Sequence, residues 1–286
     1  MEQALAVPGA CLHHCLATNS AATLGLVLSP EELYPFSMPL FSRILQFKES
    51  QARQREQRQE RRYPPGRNFP LFATIEVGGE PRNAKVLDLS PGGAGLQVAG
   101  PSYTVGDEAK LYLLLEDSCM EFTCRIAHLK TLPVGCRLGL QVKFENIEQE
   151  AGFLQLLQPI VLGSAMRPVP PEEVPQDDPT MHKLSFTGTP KTSLTVWRQY
   201  DATGDLASFL WQMDDYVVRG DSTVGVMQLF TREQFERPSR GKRSAAKGKL
   251  RGAIDAEIRR LFHWTMLNLP KEVPGDIRSF LQEFVD

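Results

Sequence analysis

The sequence predicts an α+β chain. A small antiparallel barrel or sandwich of six short strands with a C-terminal helix comes first, and a second α+β or mostly helical domain follows. Three observations carry this reading. Between Phe69 and Phe144 apolar residues recur at a period of two, broken by turn residues at roughly regular spacing. From Glu148 to Leu157 the period becomes helical, with Phe153, Leu154 and Leu157 on one side. Beyond the proline- and acid-rich stretch MRPVPPEEVPQDDP, strand and helix patterns mix.

Bulk composition narrows the class without naming a partner. A length of 286 residues predicts about two domains, each long enough to bury a core. The net charge of −2 leaves any electrostatic argument local. Five cysteines at scattered spacings do not read as a disulfide framework, which points to a reducing cytoplasm. No apolar run is long enough to span a bilayer, and Met1-Glu2-Gln3 has no basic leader character. Cys11-Leu-His-His-Cys15 has metal-capable side chains but no second ligand pair at finger-like spacing, so no metal site is expected.

Element by element, residues 1–50 predict little structure beyond a helix start at Ser29-Pro30. Residues 51–67 open with QARQREQRQERR, an Arg-rich helix or loop that Tyr63-Pro64-Pro65-Gly66 terminates. Residues 68–165 hold the strand-rich domain: LFATIEV, AKVLDL, GLQV, AKLYLLLE, MEFTCRIAHL and CRLGLQVKF, followed by the helix. A helix there is placed to plug an open barrel end. Residues 166–180 read as an extended linker. In 181–286, LSFTG and TSLTVW predict a strand pair, and VGVMQLF a short strand. Leu206, Phe209, Leu210, Met213 and Val217 fall on one face of a helix expected over Asp205–Val218. Two more helices are expected, at Arg251–Leu267 and after Pro274-Gly275-Asp276.

The stretch VLDLSPGGAGLQV, Val86 to Val98, interrupts two strands with an acid, a hydroxyl, a proline and glycines. Turn residues alone explain such a break. Upstream, Arg61, Arg62 and Arg67 bracket the Tyr-Pro-Pro-Gly turn just before the first strand. Clustered arginines followed by Asp88-x-Ser90-x-x-Gly93, inside a strand-rich domain, resemble the PilZ family. That family carries Arg-x-x-x-Arg and then Asp/Asn-x-Ser-x-x-Gly. Cys136 to Phe144 also resembles its late strand, which has a glycine before an apolar residue and a phenylalanine. The resemblance covers about Arg58 to Leu162 and does not reach the C-terminal domain.

The resemblance implies a six-stranded antiparallel PilZ-type barrel that binds cyclic di-GMP through Arg61, Arg62, Arg67, Asp88, Ser90 and Gly93. The chemistry agrees. Guanidinium groups fit phosphate oxygens and the O6/N7 edge of guanine. A carboxylate accepts from guanine N1 and N2, and a serine hydroxyl donates or accepts. Glycines at 92 and 93 permit backbone angles and close approach. One departure stands out: four residues separate Arg62 from Arg67, where the family has three. Arg58 and Arg62 keep the family spacing but leave five extra residues before the strand. Arg62 and Arg67 is the preferred register, because Pro64-Pro65-Gly66 can bulge to absorb the insertion.

The expected function is therefore a cytoplasmic cyclic di-GMP effector, not an enzyme. Ligand binding would alter a contact with an unidentified protein partner, with motility, surface polysaccharide or similar output implied by the resemblance. A degenerate adaptor that works without nucleotide is the alternative. An enzyme in the C-terminal domain is a third reading, for which the sequence offers no convergent polar groups, Walker loop, dinucleotide fingerprint or nucleophile elbow. The basic run Arg237–Arg251 lacks interleaved aromatics and does not point to nucleic acid. Trp197, Trp211 and Trp264 are expected in the core.

Overall fold

Strands that alternate apolar and polar residues must bury one face, and a sheet that closes on itself does so without leaving an edge. The computed structural model describes residues 61–286, apart from 101–102, 189–190, 202–203, 214, 237–251 and 285–286. The Ser29-Pro30 helix start, Cys11–Cys15, Arg58 and the Arg237–Arg251 run all lie outside the described residues. Among the described residues the chain divides into two units. One holds Arg61 and Pro70–Leu154, the other Arg62–Phe69 and everything from Gln155 onward.

The first unit is the expected barrel. Strands β1 (Leu71–Val77), β2 (Glu80–Ser90), β3 (Gly93–Val98), β4 (Glu108–Leu115), β5 (Ser118–Thr131) and β6 (Cys136–Lys143) close in the order β1-β2-β3-β6-β5-β4. Closure is complete because β1 pairs on both sides, Ala73 facing Ala84 in β2 and Leu113 in β4. Ile75, Leu89, Leu96, Leu111, Leu113 and Ile126 are fully buried inside. Helix α1 (Ile147–Ser164) extends the helix expected at Glu148–Leu157. Its Phe153 ring meets Phe122 edge-on at 5.2 Å and Phe144 at 5.5 Å, so a helix does pack on the barrel's aromatic residues. Burial raises the Cys124 thiol to a pKa of about 12, the behaviour of an inert core thiol. Cys124 and Cys136 are free thiols.

The second unit is an open antiparallel sheet. Its strands are β7 (Arg167–Pro168), β8 (Met181–Thr187), β9 (Thr192–Gln199), β10 (Leu206–Met213), β11 (Tyr216–Asp221) and β12 (Gln228–Thr231). They lie in chain order, each beside the next. Helices α2 (Arg232–Glu236), α3 (Gly252–Leu267) and α4 (Gly275–Gln282) complete it, the last two where the sequence predicts them. Phe262 of α3 stacks on Phe209 of β10 at 5.3 Å and lies 5.4 Å from Trp211. Ile277, Phe280 and Leu281 of α4 join the same core. Trp211 and Trp264 are buried as expected, whereas Trp197 is half-buried on β9 with the Lys183 ammonium 5.9 Å from its ring.

Three expectations need correction here. The helix expected over Asp205–Val218 is a hairpin of β10 and β11. Its apparent helical stripe mixes Phe209 and Met213, buried on the core face, with Leu210, half-buried on the other, and with Leu206, which a bulge before Ser208 returns to the core side. The strand expected over VGVMQLF is confined to Gln228–Thr231, and Val224 and Val226 are exposed. The stretch 166–180 is extended but not a bare linker. Arg167–Pro168 pairs with Phe186 and Thr187, the Val169 amide donates to the Ser185 carbonyl, and Val174 is buried. Among the described residues no helix is long and apolar enough to cross a membrane.

Candidate ligand-binding face of the barrel

The Asp-x-Ser-x-x-Gly stretch is tighter than its composition implies. Ser90 pairs directly with Gly93, so Pro91 and Gly92 alone make the turn. The Val142 amide donates to the Gly92 carbonyl at 2.9 Å, fixing the turn to β6. Neither Gly92 nor Gly93 has positive φ, so the expected special backbone angles are not the reason for glycine. Close approach is: a Cβ on Gly93 would stand 2.5 Å from the Leu140 carbonyl oxygen.

Two β-bulges decide what faces outward. Val86 pairs with Leu96 and points into the core, and strict alternation would send residue 88 inward as well. The register shifts between Val86 and Asp88, so Leu87 is the extra residue. Asp88 consequently lands outside while Leu89 returns to the core with no exposed surface. The same device recurs on β5. Ile126 is buried, the register shifts before His128, His128 is exposed, and Leu129 pairs with Leu138.

The outcome is a cross-strand row on the barrel exterior. Asp88 faces Gly95, Gly95 faces Gly139, and Gly139 faces His128. The Asp88 carboxylate lies over Gly95: a Cβ there would be 2.7 Å from Oδ1 and 2.9 Å from Oδ2. The His128 side chain lies beside Gly139, 3.2 Å from its would-be Cβ. The two central glycines thus make room for the end groups: the Asp88 carboxylate covers the buried Gly95, and the His128 side chain lies beside Gly139. The adjoining row carries Gly93, Gln141 and Arg125, and the row on the other side carries Gln97, Arg137 and Lys130. Ser90 is buried at the head of the face. A carboxylate so placed accepts from ring N–H groups, and the flanking cations answer negative charge.

The arginines enter on the segment before β1. Arg61 and Arg62 are exposed in extended chain, and Tyr63 is buried between them and the prolines. The Phe69 amide donates to the Gly66 carbonyl at 3.1 Å, closing a turn that has Arg67 and Asn68 at its exposed corner. Arg61 and the triplet Asp88, Ser90 and Gly93 fall in the first unit, Arg62 and Arg67 in the second. Sequence reasoning missed Gly95, Gly139 and His128. The signal was present in the apolar doublets Val86-Leu87 and Ile126-Ala127, where alternation breaks as a bulge requires.

The first unit is thus a small closed antiparallel barrel whose glycine-floored outer face carries the Asp-x-Ser-x-x-Gly residues. Residues 56–162 match the family model of the PilZ domain, and this part of the chain is a PilZ domain. Solved structures of similar fold include the PilZ domain with c-di-GMP of YcgR from Escherichia coli. It is 14% identical, with a TM-score of 0.33, covering 36% of this chain and 91% of that one. The PilZ domain of CeSA from a cellulose-synthesising bacterium is 19% identical, with a TM-score of 0.28, covering 34% and 93%. The inhibitor of motility MotI/DgrA from Bacillus subtilis is 19% identical, with a TM-score of 0.30, covering 35% and 49%. No curated protein matches the chain.

Proposed function

We propose that the protein is a cytoplasmic effector that binds cyclic di-GMP and answers by changing a contact with a protein partner. Asp88, Ser90 and Gly93, together with Arg61, Arg62 and Arg67, are the proposed ligand contacts. The observation that carries the reading is the Asp88 carboxylate on the outer face of the barrel, laid over Gly95, which has no side chain to displace it. Guanine is flat, and its N1 and N2 groups donate side by side, as a carboxylate edge requires. The phosphates call for arginine forks, and the PilZ match over residues 56–162 supports the same ligand class. The chain works in this reading as a binding module and not as an enzyme, with motility or surface polysaccharide as the kind of output.

Calorimetric titration of the full chain with cyclic di-GMP tests it. A bidentate arginine contact is worth about 1–3 kcal/mol, so Arg67→Ala should weaken binding about 10- to 100-fold. Equal affinities would remove Arg67 from the site. A wild-type chain that gives neither heat nor a rise in melting temperature at high ligand would leave the nucleotide-free adaptor as the better account.

A further inference from the structure

We infer that Asn268, some two hundred residues from the arginines in sequence, is a positioning residue for the turn that carries Arg67. The inference rests on the cyclic di-GMP reading above. Asn268 follows the end of α3 and is only 4% exposed. Both ends of its side-chain amide are engaged. The Gly66 backbone N–H donates to Asn268 Oδ1 at 2.6 Å, and Asn268 Nδ2 donates to the Trp264 carbonyl at 2.8 Å. The Asn268 backbone amide in turn donates to the Thr265 carbonyl at 3.0 Å. A helix end thus holds an asparagine in one orientation, and that asparagine holds the first residue of the arginine turn.

The fit at Gly66 is a backbone-to-backbone approach. A Cβ there would stand 2.1 Å from the Leu267 carbonyl oxygen, so no other residue leaves the turn where it is. The far side is held as well, since Phe69 meets Trp264 edge-on, with ring centroids 6.5 Å apart. Arg67 and Asn68 lie between two anchored residues and are themselves exposed. Gly163 of α1 packs on the same point, its would-be Cβ 2.5 Å from the Thr265 carbonyl oxygen and 2.7 Å from Asn268 Cβ. A guanidinium on a tethered turn is pre-organised, and a ligand that recruits it need not order the turn first. By linkage, whatever loosens Asn268 weakens ligand binding, and bound ligand strengthens the hold on Gly66.

The test is a double-mutant cycle on the full chain, titrated with cyclic di-GMP. Asn268→Ala should weaken binding about 10-fold in the wild-type background. In the Arg67→Ala background the same substitution should cost about 2-fold or less, because the group it positions is gone. A residue that only supports the fold would cost the same in both backgrounds, and equal losses overturn the inference. Gly66→Ala displaces the turn, and Arg67 with it, while removing no proposed ligand contact and leaving Asn268 intact. It should reproduce the loss, and it carries the same cycle where Asn268→Ala fails to fold by circular dichroism. Wild-type binding with no loss in a folded variant removes the role of Asn268 alone. A wild-type chain that does not bind removes the cyclic di-GMP reading and this inference together.

Discussion

Each unit contains six antiparallel strands, yet one sheet closes and the other stays open. The closed sheet buries its inner face with its own side chains, so its exterior is free to carry polar groups and bare glycine. The open sheet has no such option, and Phe262, Ile277 and Phe280 from helices α3 and α4 cover its inner face. Closure therefore separates the work of the two faces within a strand, core inside and recognition outside. In the open sheet the helices divert part of the chain to cover, and their packing becomes the source of stability. The barrel's special chemistry consequently lies on its outer face, where side chains such as Asp88 and His128 can be replaced without emptying the core. The sheet's special packing lies in buried residues whose replacement does not.

Three measurements press on that contrast. The largest effect belongs to Trp211→Ala, which removes a fully buried indole from the sheet–helix core. It should lower stability by about 3–5 kcal/mol in a urea titration. The indole nitrogen has no hydrogen-bond partner among the described residues, so Trp211→Phe should cost clearly less. A loss under about 1 kcal/mol for the alanine variant would mean that the helix-covered face does not govern stability.

Gly95→Ala comes next and should show the opposite profile. The new methyl would stand 2.7 Å from Oδ1 of Asp88, the far end of a side chain and not backbone, so the side chain shifts before the strand does. Cyclic di-GMP affinity should fall about 10-fold, or about 1.4 kcal/mol, while the melting temperature stays close to wild type. A barrel that unfolds on this substitution would contradict the separation of faces.

The smallest effect concerns Asp276, in the first turn of α4, whose carboxylate is held below its usual pKa mainly by the hydrogen bond from Arg198 of β9. A lowered carboxylate pKa stabilises the fold above the ordinary value of about 3.9, and that contribution is lost as pH falls through the lowered one. Both side chains are substantially solvated, so Asp276→Asn should cost about 0.2–1 kcal/mol at pH 7. Near pH 2 wild type and variant should converge, and a gap that persists there would assign the effect to packing.

The same contrast explains what was legible in the amino-acid order. Most barrel strands alternate over at least part of their length, and their turns are punctuated by Gly78-Gly79, Asp117-Ser118 and Pro133-Val134-Gly135, so all six were readable. Strand β10 has apolar residues on both faces, Phe209 and Trp211 inside and Leu210 outside, and a bulge returns Leu206 to the core side, so the order imitates a helical stripe. The turn after Met213 and the β-branched pair Val217-Val218 are the contrary signals. At the site, Asp88 and Ser90 were legible as types in a spacing. The placing of Asp88 and His128 beside the Gly95–Gly139 pair was not, because it depends on two register shifts in strands far apart in sequence. Nor was the hydrogen bond from Gly66 to Asn268, which no local pattern announces.

The lengths of the outermost strands in the open sheet bear on how copies of the chain meet. β7 has two residues and β12 has four. The barrel, being closed, offers no unpaired rim. A neighbouring chain that sought to extend either sheet would find room for only a few main-chain bonds, too few to template a growing stack. Brevity at those margins, with a charge and a proline as the whole of β7, protects against fibre-like assembly.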